Sequence, residues 1–180
     1  MTMDNFLSEW DQTLSNMPYG PLGIIAMQGI DELGADVNNY LCKWHELQDL
    51  QDEEFYTSPG QGREDFLIET ACPRFGTGEG KGVIKESVRG FDIYILIDVC
   101  AYNVRYKMYD FDVPMSPDDH YQDLKRIIAA IAGKAKRVNV IMPMLYESRQ
   151  HRRNARESLD CALALQELQN MGVANVITFD

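Results

Sequence analysis

At 180 residues and 20.6 kDa the chain suits one domain with a full hydrophobic core. Its residues are 45% hydrophobic and 25% charged, as in an ordinary globular protein, and no apolar run approaches the roughly 18 residues of a membrane span. The formal net charge of −11 repels nucleic acid and anionic lipid over most of the surface, so any bound phosphate must be held by a local patch.

The N-terminus, MTMDNFLSEWDQTL, lacks the basic flank and apolar centre of a signal peptide, and a cytoplasmic location is the expectation. Cys42, Cys72, Cys100 and Cys161 are irregularly spaced, without a Cys-x-x-Cys pair, and read as reduced thiols rather than a disulfide framework. Residues 3–15 carry Phe6, Trp10 and Leu14 at helical spacing and predict a short amphipathic helix. Residues 21–27 read as a buried strand. Residues 31–50 follow as a helix with Leu33, Val37, Leu41 and Trp44 on one stripe. The segment 51–62 gathers acids, Pro59 and two glycines and predicts an exposed loop.

Residues 66–68 and 83–84 flank Gly76, Gly78, Gly80 and Gly82, a pattern that closes a hairpin or a bulged turn. Residues 92–99, DIYILIDV, predict a strand covered on both faces. Ser116, Pro117, Asp118 and Asp119 open a helix whose stripe is Leu124, Ile127, Ile128 and Ile131, and Gly133 ends it. A strand at 138–142, a loop at 143–157, a helix at 159–171 capped by Gly172 and a strand at 173–179 complete the chain. This alternation predicts a single α/β domain over 1–180: a doubly wound, largely parallel sheet with a glycine-rich hairpin.

In such a sheet ligands bind beyond the carboxyl ends of the strands. The loop after 138–142 holds Arg149, Gln150, His151, Arg152, Arg153 and Arg156 in an otherwise acidic chain. Arginine forks pair with phosphate oxygens, so the cluster reads as an anion site. A solvated basic loop paired with Glu147 and Glu157 fits the charges equally well. The glycine turn is no Walker A loop, because Phe75 stands where its first glycine belongs and Gly82 follows Lys81. Nor is it a dinucleotide fingerprint, since Val83 occupies the third glycine position. His45, His120 and His151 are scattered and read as surface histidines; Asp118, Asp119 and Asp123 read as a helix cap and a solvated face. No metal cluster or nucleophile triad stands out.

The run FGTGEGKGVIKESVRGFDIYILIDVC, with Phe75, Gly78, Glu79, Glu86, Ser87, Val88, Arg89, Gly90 and Asp92, resembles the opening signature of ribose-phosphate diphosphokinases. VIMPMLYESRQHRRNARES resembles a second block of that family, in the right order. Thr77 stands where the family has Asp or Asn, and His151 where it usually has Asp. The resemblance implies a phosphoribosyltransferase-like fold and an ATP site. In it Arg149 and Gln150 contact ATP, while Phe75 and Glu79 hold the adenine of a neighbouring subunit's ATP, which makes a homo-oligomer the expected state. It implies further that the full-length enzyme transfers diphosphate from ATP to ribose 5-phosphate with Mg2+. The metal ligands and the catalytic groups are expected beyond Asp180, so the chain reads as an N-terminal ATP-binding and assembly fragment that is inactive alone. The alternative is a non-catalytic nucleotide-sensing or regulatory relative. Neither nucleic acid nor membrane is an expected partner.

Overall fold

A computed structural model describes residues 20–49 and 65–179. The helix expected at 3–15 and the loop expected at 51–62 lie outside them. Strands β1 (Leu22–Ala26), β4 (Asp92–Leu96), β7 (Arg137–Ile141) and β8 (Asn175–Ile177) form one parallel sheet in the order β1-β4-β7-β8. Helix α1 (Asp31–Asp49) follows β1. The chain then returns on the outer side of β1, where the Ile24 amide donates to Phe66 O and the Ile68 amide to Ile24 O, both at 2.8 Å. It next crosses to the other side of β1 to enter β4, so the strand order reverses at β1.

Alternate residues of each strand point to opposite faces, which is why the buried strands read as continuous apolar runs. Ile25, Ile93, Ile95 and Val140 meet Leu124, Ile127 and Ile131 of α2 (Pro117–Ile131) and Leu168 of α3 (Asp160–Asn170). On the other face Ile24 and Leu96 pack with Ile30, Val37 and Leu41. Leu33 and Trp44, expected on the same buried stripe, are 46% and 57% exposed. Helix α1 covers only one part of that face, and Leu33 borders an open apolar groove of about 470 Å3 beside it.

The start of α2 follows its sequence signal. Ser116 Oγ accepts from the Asp119 amide at 3.2 Å and Asp119 Oδ2 accepts from the Ser116 amide at 2.9 Å, a reciprocal capping box with Pro117 in the first turn.

Asp92 and Arg137 are register partners on β4 and β7. Arg137 Nε donates to Asp92 Oδ1 at 2.8 Å and Nη2 donates to Oδ2, while Asn139 Nδ2 reaches Oδ1 at 2.9 Å. Asp92 is only 5% exposed, so its place in the signature has a structural cause: it fastens two central strands through charge.

The glycine-rich segment runs between β2 (Thr70–Ala71) and β3 (Val83–Ile84), which pair antiparallel. The partner of 83–84 is thus 70–71 and not 66–68, because 66–68 is already hydrogen-bonded along the free edge of β1. Glycine is required at 82, where a Cβ would meet the Arg126 backbone oxygen at 2.5 Å as α2 crosses β3. The strand expected over 92–99 pairs as β4 over 92–96, and that over 173–179 pairs as β8 over 175–177. A hairpin of β5 (Arg105–Met108) and β6 (Phe111–Pro114) was not expected. Its turn residues Tyr109 and Asp110 have φ of 47° and 68°, a geometry that glycine or asparagine usually announces.

Candidate functional site

The strands of the sheet end together at their carboxyl edge, and two separate cavities open among the loops there. One lies beside the loop that follows β7. Beyond Ile141 the chain passes Pro143 and forms a 3-10 turn at Ser148–Gln150, entered through Glu147 at φ 58°. Gln150 Nε2 donates to Ser158 O at 2.8 Å and His151 Nδ1 to Ser148 O at 2.9 Å, so both side chains tie the loop to itself. Tyr146 anchors its base by stacking on Tyr121 with centroids 4.2 Å apart, and its hydroxyl donates to Asp118 Oδ1 at 2.7 Å. Burial, followed by the hydrogen bond and charge of Asp118, pushes the Tyr146 hydroxyl well above the ordinary tyrosine range.

Arg149, exposed, borders a shallow cavity of about 380 Å3 with Tyr102, Cys100 and Met144. Among the described residues Arg149, Arg152, Arg153 and Arg156 form no ion pair. The pairing with Glu147 and Glu157 that would make this a merely solvated loop is therefore not formed. Arg137, at the other end of β7, is bound to Asp92. The loop offers free guanidinium donors and an aromatic face to an anion that carries a planar group.

The glycine turn is a projecting tip. The Phe75 amide donates to Glu79 O at 2.7 Å and the Gly78 amide to Phe75 O at 2.9 Å, with Gly78 at φ 92°. Phe75 is 55% exposed. Thr77 Oγ1 donates to Glu79 Oε2 at 2.9 Å, so Thr77 orients that carboxylate. The Tyr109 amide donates to Gly76 O at 2.9 Å, which joins the tip to the β5–β6 turn and sets Tyr109 and Phe111, 67% and 74% exposed, in the same region. Neither Phe75 nor Glu79 lines the cavity beside Arg149. The four residues singled out by sequence thus fall into two places, the loop after β7 and the tip.

The other cavity, about 560 Å3, lies between the carboxyl end of β1, β2, the β5–β6 hairpin and α2. Sequence reasoning missed it. Among its lining residues is Asp123, which accepts from Arg74 Nη2 at 2.8 Å and from Arg126 Nη1 at 2.6 Å. Side chains of Arg74 and Asp123 are 7% and 4% exposed, so Asp123 is no solvated helix residue. Burial pushes its carboxyl above the usual range, against the pull of Arg126 and Arg74. His120 is buried as well, at 2% exposure, and donates from Nε2 to Ala101 O at 3.1 Å. Sequence spacing places both on a solvated helix face, whereas their partners come from distant segments, Ala101 for His120 and Arg74 and Cys72 for Asp123. Cys72, beside them, has its thiol pushed up to about 12, first by burial and then by the Asp123 charge.

The four cysteines are free thiols. Among the described residues no three or more His, Cys, Asp or Glu side chains are grouped to hold a metal ion. No described helix is long and apolar enough to cross a membrane.

A four-stranded parallel sheet with helices packed on it, and a basic loop at its carboxyl edge, defines an open α/β class of domain, in which ligands usually bind beyond that edge. The family described as the N-terminal domain of ribose phosphate pyrophosphokinase matches residues 22–172, and the chain belongs to that family. Similar curated proteins include the ribose-phosphate pyrophosphokinase of Oceanobacillus iheyensis, 30% identical over 109 residues that cover 59% of this chain and 30% of that protein. That of Halalkalibacterium halodurans is 28% identical over 113 residues, covering 62% of this chain and 31% of its own length. The chain therefore spans about a third of these relatives. The crystal structure of phosphoribosylpyrophosphate synthetase from Mycobacterium smegmatis superposes with a TM-score of 0.59 at 21% identity, over 88% of this chain and 42% of that one. It shares the fold.

Proposed function

We propose that this chain is the ATP-binding and assembly domain of a ribose-phosphate diphosphokinase, whose complete form transfers diphosphate from ATP to ribose 5-phosphate. The observation that carries the proposal is the unpaired Arg149 at the carboxyl end of β7, inside the stretch matched by the family. Arg149 meets the ATP phosphates and Gln150 completes the turn that presents it. The reaction needs charge stabilisation on the transferred group, and a positioned guanidinium supplies part of it. Magnesium would add the rest, bound by groups outside the described residues.

The tip supports the assembly role. Phe75 and Glu79 project from the domain rather than into its own cavity, and exposed aromatic residues beside them suit burial against a second copy of the chain. In that arrangement Phe75 stacks on the adenine of the neighbour's ATP and Glu79 accepts from its amino group. Thr77 favours the regulatory alternative in one respect, since it occupies the Glu79 carboxylate and supplies no carboxylate of its own.

The purified 180-residue chain is expected to bind ATP yet form no phosphoribosyl diphosphate from ATP and ribose 5-phosphate. The expectation rests on the share of the relatives that the chain spans. Product formation above the protein-free background would overturn the division of labour proposed here.

A further inference from the structure

The cavity of about 560 Å3 at the carboxyl end of β1 shares no lining residue with the cavity beside Arg149. It lies where the strand order reverses, the usual ligand position of an open α/β sheet. Arg74, Arg105 and Lys107 line it, against the acids Asp31 and Asp123, in a chain of net charge −11. Asp123 is claimed by two guanidiniums, those of the buried Arg74 and the partly exposed Arg126, so among the described residues one carboxylate answers two positive charges. Asp31 is engaged at the start of α1, where Oδ2 accepts from the Gly29 amide at 2.9 Å.

The Arg74 guanidinium is held from several sides. Nη2 reaches Asp123 and, at 3.9 Å, Met115 Sδ, and the plane lies 4.8 Å from the centroid of the Tyr106 ring. Its Nε is a buried donor with no acceptor among the described residues. A buried guanidinium that shares its counter-charge and leaves one donor unsatisfied is costly unless a ligand completes it. The Arg105 and Lys107 side chains on the exposed hairpin flank the same opening, and their own partners, Asp112 O and Asp112 Oδ1, lie on the hairpin itself.

We propose that this cavity is a second anion site, which takes a small phosphate ester. Its phosphate sits between the Arg74 guanidinium and the Arg105 and Lys107 side chains, and its organic part lies against Tyr106 and Met27. The volume is in the range of small-molecule sites, about 300 to 1,000 Å3. The site does not depend on ATP binding at the Arg149 loop, since the two share no residue.

The test follows the Arg74 Nε–H resonance of the 15N-labelled chain during titration with inorganic phosphate, beside a chloride titration of equal ionic strength. Phosphate is expected to move it saturably and chloride is not. The Arg105→Gln/Lys107→Gln variant, altered only on the exposed hairpin, should fold normally and weaken phosphate binding about tenfold or more. The same shift should persist in Arg149→Ala, which separates this site from the ATP loop. No phosphate-specific movement of Arg74, or equal affinity in the hairpin variant, would overturn the proposal.

Discussion

Arg137→Ala is expected to destabilise the domain by about 3 to 5 kcal/mol, read as a fall in the urea unfolding midpoint. Asp92 is nearly buried and takes both prongs of the Arg137 fork, on the strand next to it in register. Removing the guanidinium strands a carboxylate in the sheet with Asn139 as its remaining cross-strand donor. The penalty comes from the abandoned charge rather than from the lost attraction. Replacing both partners with apolar residues, Asp92→Leu with Arg137→Met, should therefore recover most of the loss. A single substitution costing under about 1 kcal/mol would mean that the pair behaves as a surface ion pair.

Asp123→Asn should cost a similar amount, about 3 to 5 kcal/mol, although it keeps nearly the same shape. The carboxylate is the shared acceptor of Arg74 and Arg126, and Arg74 is too buried to turn to water. The amide can accept through one oxygen only, and it brings an NH2 group toward a guanidinium. Arg126, 20% exposed, reaches solvent more easily than Arg74 and loses less. Thermal and urea unfolding that leave Asp123→Asn within about 0.5 kcal/mol of the parent would show that the trio is held by packing.

The pair and the trio illustrate what a sequence discloses. The parallel α/β frame was legible because residues 92–99 and 138–142 are nearly continuous in apolar residues, as expected of a strand covered on both faces. The capping box was legible because its signal is local. The partnership of Asp92 with Arg137 was not, since 45 positions separate them and only the parallel register brings them face to face. His120 and Asp123 were misread for the same reason. A helix face looks solvated in sequence when the groups that bury it, Ala101, Cys72 and Arg74, lie far from it along the chain.

The site was legible in part. The basic loop announced itself by charge after a core strand, and among the described residues Arg149 forms no ion pair with Glu147 or Glu157. Phe75 and Glu79 were drawn from the motif alone. Their place on a projecting tip, apart from the Arg149 cavity, follows from the pairing of Thr70–Ala71 with Val83–Ile84.

The direct measurement is ATP affinity by calorimetry at low salt, for the parent chain, Arg149→Ala and Lys134→Ala. Lys134 is exposed beside the amino end of β7, remote along the strand from the Arg149 loop. Losing a charge-assisted hydrogen bond costs about 1.5 to 3 kcal/mol, so Arg149→Ala should weaken ATP binding roughly tenfold or more. Lys134→Ala should leave it within about twofold. Equal and small effects of the two substitutions would contradict an ATP-phosphate site at Arg149.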